Sequence, residues 1–218
     1  TGPLDTLTID FTRPSASMRR TATWPKIAPG GPDLGTIWGA LYRRFGLDMA
    51  GTLDPAWPAD DWRHYLYFNA GWFLHDSPQH FGTLFARIAT DIARDPPAVV
   101  AGQALFPWLD QVALPLVIHA LGGGRPGPGL RGLDRSVTCH WRVLPLFFAR
   151  ASDAQIDSLE RLAAEPRLRA VLETYPPFAR MLYGGGGRAA RALFAGRPLP
   201  TEEGQLRLAL RRAGLWLR

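Results

Sequence analysis

The stretch Tyr65-Leu66-Tyr67-Phe68-Asn69-Ala70-Gly71-Trp72-Phe73-Leu74 decides the fold of this 218-residue chain. Two apolar, aromatic-rich runs in it, residues 65–68 and 72–74, have the composition of buried β-strands. The Asn-Ala-Gly between them is small and polar, and such an interruption is a place where backbone can approach a ligand. We therefore expect a sheet built on this stretch, with Asn69 and Gly71 beside a ligand.

Three helices are predicted around this stretch from their start and stop signals. The first covers residues 33–45, with Asp33 as N-cap and Gly46 after its end. The second begins at Ser77-Pro78 and ends before Pro96. The third begins near Asp110-Gln111 and ends at Gly122-Gly123-Gly124. A carboxylate at a helix start is favoured by the helix dipole alone, so Asp110 needs no functional role to be explained.

The later chain reads as one more strand, at residues 137–141, followed by short helices. A capping box at Ser152 to Gln155 opens the first of these helices, and Thr201 is the predicted N-cap of the last. The others are expected at 167–173, 177–183 and 188–194. The fold class is therefore α/β: a mixed sheet flanked by helices in a domain at 1–150, then an α-helical, arginine-rich region at 151–218.

Phe68-Asn69-Ala70-Gly71 and the downstream Asp110-Gln111 together resemble the central and C-terminal part of GT-A-fold glycosyltransferases, over roughly residues 1–145. The resemblance implies a truncated GT-A-like sheet, with Asn69, Gly71, Asp110 and Gln111 as vestigial contacts to a nucleotide-sugar and its acceptor. It also makes His140 a weak candidate for a metal ligand, with a half-buried structural histidine as the alternative. It assigns no catalytic residue.

The Asp-x-Asp motif that holds the divalent cation in such enzymes is not found in this sequence. Two hypotheses follow. The first is a non-catalytic accessory or structural subunit derived from a glycosyltransferase, with no cofactor. The alternative is a glycosyltransferase represented without its donor-binding half, which would use a nucleotide-sugar and a cation such as manganese. Under the first, Thr1 is a natural N-terminus; under the second, the upstream part has been left out.

The charge of the chain is +6, and 16 of its 25 basic side chains follow Gly124. A run without acidic residues contains Arg180, Arg188, Arg191 and Arg197, which we expect to bind an anionic lipid, a phosphate or an acidic partner; a solvated basic face is the alternative. The expected partners are proteins of a larger complex, with no nucleic acid because no helix-turn-helix or basic-aromatic platform is recognised. The expected location is the cytoplasm or the cytoplasmic face of a membrane.

Overall fold

A computed structural model describes residues 7–134, 140–196 and 198–217 of the chain. It divides into two compact units, one of Thr8–Arg131 and a second that contains Gly132–Arg218. The first unit holds both strands found in the described residues, while the described part of the second is helical. The α/β class with a helical C-terminal region is therefore confirmed. The domain boundary at residue 150 stays a prediction.

The sheet has two antiparallel strands in the described residues, β1 (Ser15–Met18) and β2 (Phe68–Leu74). It is smaller than the mixed sheet we expected. The polar triplet also does not separate two strands, because β2 runs through it. Between Ala16 and Met18 the register slips by several residues of β2, so the Asn-Ala-Gly segment is taken up in a bulge. The interruption in the apolar pattern thus marks a bulge within one strand.

The helices of the first unit follow the predicted start and stop signals closely. Asp33 accepts a hydrogen bond from the backbone N–H of Thr36, and Ser77 does the same for His80. All three predicted helices are confirmed. The unit contains α1 (Leu34–Arg44), α2 (Pro78–Arg94), α3 (Ala98–Ala101) and α4 (Leu109–Ala120), with short 3₁₀ helices at Ala50–Thr52 and Trp62–His64.

Helix α4 lies in the core of the first unit. Residues 111–118 are all buried, and the helix packs against α2 and β2. A helix that is apolar all round is stable only when neighbours cover it on every side. The start of α4, with Asp110 and Gln111, is therefore carried by a firmly held element.

The second unit is a set of short helices around its own apolar core, which includes Phe148, Met181, Leu206 and Leu210. The capping box at Ser152 is confirmed, with both of its hydrogen bonds present. The helices are α5 (Leu144–Arg150), α6 (Asp153–Ala164), α7 (Pro166–Leu172), α8 (Pro176–Phe178), α9 (Gly186–Ala192) and α10 (Glu203–Arg212), with a π-helical turn at Ala179–Tyr183. None of the helices in the described ranges is long and apolar enough to cross a membrane.

Two local predictions for this unit are wrong. Trp141 was expected to end a strand, but it begins a 3₁₀ helix, Trp141–Val143, because the His140 side chain accepts a hydrogen bond from the Arg142 N–H and caps the turn. Residues 137–139 of that expected strand lie outside the described residues. The N-cap of α10 is Glu202 rather than Thr201, and its side chain makes no capping hydrogen bond.

Candidate functional site

The candidate site lies where the end of β1 meets the start of α4. Arg19, which directly follows β1, donates from Nη1 to Oε1 of Gln111 over 2.8 Å. Its guanidinium also lies 5.0 Å from the ring centre of Trp108, in cation–π contact, and its Nε donates to the carbonyl of Thr21. Gln111 is only 9% exposed, so this hydrogen bond satisfies a buried amide oxygen. Arg19 is thereby held in one position.

Asp110 is the unusual group of the site. Its Oδ1 atom is shielded from solvent and has no hydrogen-bond partner in the part of the chain that the structure describes. The side chain as a whole is only partly buried, and rotation about the terminal torsion of an aspartate is soft. Leaving a polar oxygen buried without a donor is costly, and such groups are rare in folded proteins. Asp110 therefore presents a shielded acceptor oxygen that no donor among the described residues satisfies.

Tyr67 lies within electrostatic reach of both charged groups. Its pKa is raised above the ordinary value mainly by burial and also by the negative charge of Asp110, while the hydrogen bond with Thr23 and the charge of Arg19 act against the rise. The hydroxyl is 2.8 Å from Oγ1 of Thr23. At neutral pH Tyr67 keeps its proton, so the site contains a cation, an acceptor without a donor and a neutral phenol.

The Asn-x-Gly segment reaches the same end of β1. Oδ1 of Asn69 accepts from the N–H of Gly71 over 2.7 Å, and its Nδ2 donates to the carbonyl of Met18 over 3.4 Å. Met18 and Arg19 are consecutive, so the two predicted motifs are joined through one dipeptide. A Cβ on Gly71 would lie 2.6 Å from Oδ1 of Asn69, which explains why glycine stands there.

Arg19, Tyr67 and Trp108 were missed as site residues by the sequence reasoning. Arg19 sits in a Met-Arg-Arg segment after a short, weakly patterned strand, and an arginine pair alone points equally well to a solvated turn. The useful signal was Trp108, two positions before Asp110, since arginines commonly make cation–π contacts with an aromatic face. Phe106, two residues earlier still, is 90% exposed.

Three of the four arginines predicted to bind an anion or a partner already have partners within the second unit. Arg188 pairs with Glu160 at 3.0 Å, and Arg191 pairs with Asp153 at 2.5 Å. Arg180 donates to the carbonyl of Gly214. Arg197 lies outside the described residues. The expected binding by these residues stays a prediction.

His140 is held by its neighbours in the chain. Its Nδ1 accepts from the N–H of Arg142 over 3.2 Å, and its ring stacks on Trp141. Desolvation, and then the positive charge of Arg142, lower its pKa below the ordinary value. Within residues 7–134, 140–196 and 198–217, no three His, Cys, Asp or Glu side chains come together as a metal site. The described residues therefore do not offer a donor set that fits a catalytic cation.

Comparison with known proteins places the candidate site in a defined family. A family model described as "Rhodobacterales glycosyltransferase domain" matches residues 1–122, more than half of the chain. Asn69, Gly71, Asp110 and Gln111 all lie inside the matched range. No curated protein and no solved structure matches the chain. The match supports a relationship to glycosyltransferases without specifying the GT-A fold or its motifs. The chain belongs to the Rhodobacterales glycosyltransferase domain family.

Proposed function

We propose that the first unit takes part in transferring a sugar from a nucleotide-sugar donor, and that it binds a saccharide between the end of β1 and the start of α4. The observation that carries the proposal is the shielded Oδ1 of Asp110, which has no donor in the described residues. Sugar hydroxyls are donors of the required kind, and hydrogen bonds to a charged acceptor are stronger than neutral ones. The family relationship supports the same reading.

The other groups of the site supply further contacts for a sugar. Arg19 offers the guanidinium N–H groups that Gln111 and Thr21 do not use, and these suit a ring oxygen or a phosphate oxygen. The cation–π contact with Trp108 fixes the direction of these donors. A rigid constellation of this kind lowers the entropy lost on binding. Asp110 would orient the hydroxyl that it accepts from.

The test measures the binding of UDP-glucose, UDP-N-acetylglucosamine and the two free sugars. Binding is detected by saturation-transfer NMR and by the thermal shift that each ligand causes. Asp110→Asn should weaken binding about tenfold, since a hydrogen bond to a charged group contributes about 1.5–3 kcal/mol. Asp60→Asn is the matched control, because Asp60 is an exposed aspartate of the same unit. Absence of binding at millimolar ligand, or equal effects of the two variants, would contradict the proposal.

A second candidate function is the accessory or structural subunit, and surface residues of the second unit favour it. Four large apolar side chains within residues 162–175 are exposed, including Val171 at 67%. Exposed apolar side chains grouped in this way are typical of protein interfaces. If α7 docks on a protein, the double variant Leu168→Glu with Val171→Glu should reduce the apparent size of the complex that contains this chain. The size is measured in cell extracts prepared under non-denaturing conditions. An unchanged size would remove this candidate.

A further inference from the structure

A cleft of about 460 Å³ lies in the second unit, and none of the residues that line it belongs to the proposed saccharide site. Arg150, Asp153 and Arg191 are among the residues that line it, together with apolar residues that include Phe194 and Leu199. Its volume falls in the range of small-molecule sites, which combine an apolar lining with a few placed polar groups.

Arg191 is fixed at the edge of this cleft by the end of α5. Its Nη1 donates to the carbonyl of Ala151 over 2.7 Å and to that of Phe148 over 3.4 Å. These carbonyls belong to the last turn of a helix, where backbone acceptors lack intrahelical partners. Its Nη2 pairs with Asp153, whose side chain is 85% exposed. An ion pair with so exposed a carboxylate is weak, so an incoming anion can compete for the guanidinium.

Arg150 is held from the other direction, by α10. Nη1 of Arg150 donates to Oε2 of Glu203 over 2.9 Å, which leaves four of its five N–H donors without an acceptor among the described residues. Glu203 is shared, because its other oxygen accepts from Arg207 over 2.6 Å. The two arginines that line the cleft and Arg207 thus share two carboxylates, Asp153 and Glu203, so the excess charge of this group is positive.

We propose that this cleft binds a phosphate monoester that carries an apolar group. Two guanidinium groups, each held by its own partner, suit the several oxygens of one phosphate, since arginine recognises oxyanions through paired N–H bonds. The wall of Phe194 and Leu199 accommodates the apolar substituent. The ligand is either a soluble phosphate ester or the headgroup of a lipid. The proposal is independent of the sugar-transfer function, since it rests on residues of the second unit alone.

The experiment titrates the full chain with inorganic phosphate and with phenyl phosphate by calorimetry at low salt. Phenyl phosphate should bind more tightly than phosphate, and Leu199→Ser should reduce that difference. Arg150→Gln should weaken phenyl phosphate binding about tenfold or more. Arg167→Gln is the matched control, since Arg167 is an exposed arginine of the same unit that lies outside the cleft.

A variant that is expected to bind more tightly keeps the test independent of folding defects, because such a defect would only weaken binding. Asp153→Asn removes the carboxylate that competes for Arg191, so phenyl phosphate should bind more tightly, by up to about fivefold. Comparing vesicles of phosphatidic acid with vesicles of phosphatidylcholine distinguishes a lipid headgroup from a soluble ester as the ligand. Binding to phosphatidic acid vesicles identifies a lipid, and binding to phenyl phosphate alone identifies a soluble ester. No binding of phenyl phosphate at millimolar concentration, weaker binding by Asp153→Asn, or equal losses in Arg150→Gln and Arg167→Gln would overturn the proposal.

Discussion

At the scale of single residues, the binding role proposed for Asp110 implies a cost in the stability of the unliganded protein. Changing it to Asn keeps an acceptor oxygen but removes the shielded negative charge, and it also loses the favourable interaction of that charge with the helix dipole. The unliganded protein should therefore become more stable by only about 1 kcal/mol. Thermal unfolding of the two proteins without ligand measures this difference. The same variant should bind sugar more weakly, and sites that bind ligands often show this opposition. A destabilised Asp110→Asn variant would mean that the carboxylate is already satisfied in the free protein.

Gly71 and Asn69 form one structural unit within the bulge of β2. An added methyl group at Gly71 would meet Oδ1 of Asn69 at 2.6 Å, so the Asn69 side chain must rotate and lose its hydrogen bonds to Gly71 and Met18. Gly71→Ala should therefore cost about 1 kcal/mol of unfolding free energy, measured by urea denaturation. In an Asn69→Ala background the same change should cost nothing further. Additive effects would show that Gly71 serves something other than this side chain.

Sequence reasoning at this scale found the residues with a local signal and missed those positioned by tertiary contacts. Asn69 and Gly71 stand out because a polar triplet breaks an aromatic run, whereas Gln111 was singled out by the resemblance of Asp110-Gln111 to a glycosyltransferase motif. Arg19 is defined by an amide 92 positions later in the chain and by the ring of Trp108. No periodicity or cap records such a long-range contact.

At the scale of elements, N-caps were a better signal than an isolated apolar run, although Thr201 does not cap α10. Asp33, Ser77 and Ser152 each cap the helix that they were expected to cap, because a side-chain acceptor three residues from an N–H acts locally. The strand expected at residues 137–141 fails at Trp141, where His140 caps a turn. A short apolar run fits a strand or a buried turn equally well, and packing decides between them.

Helix α9 offers a test of packing in the second unit. A Cβ on Gly187 would lie 2.5 Å from the ring of Phe148, which is 1% exposed and cannot move outward freely. Gly187→Ala should therefore destabilise the protein by about 1–3 kcal/mol through overpacking. Gly204→Ala in α10 is the matched control with the opposite sign, since a Cβ there meets nothing within 4 Å and alanine favours helix. The unfolding free energies should thus move in opposite directions. Equal shifts would refute the tight contact.

At the scale of the whole molecule, the chain combines two units with different charge. Residues 8–131 contain 11 basic and 10 acidic side chains, whereas residues 132–218 contain 14 and 8. In the described second unit arginine–carboxylate pairs recur, as at Arg169–Glu173 and Arg188–Glu160. The uneven charge was readable from composition, whereas the pairing was not, because it depends on which helices lie side by side. The second unit is thus a basic body whose positive charge is partly neutralised from within.

The arginine–carboxylate pairs predict how the stability of the folded protein depends on pH. Side-chain hydrogen bonds from Arg63 lower the pKa of Asp61 to about 2, and although burial opposes it, hydrogen bonds from Arg150 and Arg207 lower the pKa of Glu203 below its ordinary 4.5. Each folded carboxylate binds its proton less readily than the unfolded one, so its contribution is full above the unfolded pKa and is lost as pH falls through the folded pKa. The melting temperature should therefore fall between about pH 4.5 and 2, the range that these two pKa values bracket.

The chain's charge steepens that fall, because 25 basic side chains remain when the 19 acidic ones are neutralised. Melting curves at several pH values and two salt concentrations measure both effects, and added salt should reduce the part due to repulsion. Glu203→Gln removes one coupled carboxylate and should flatten the curve below pH 4.5, which is the ordinary pKa of that group. Glu165→Gln is the matched control, since Glu165 forms none of the ion pairs seen in the described residues. If Glu203→Gln left the curve as steep as the control does, the shared arginine pairs would not be a source of acid sensitivity, and repulsion alone would explain it.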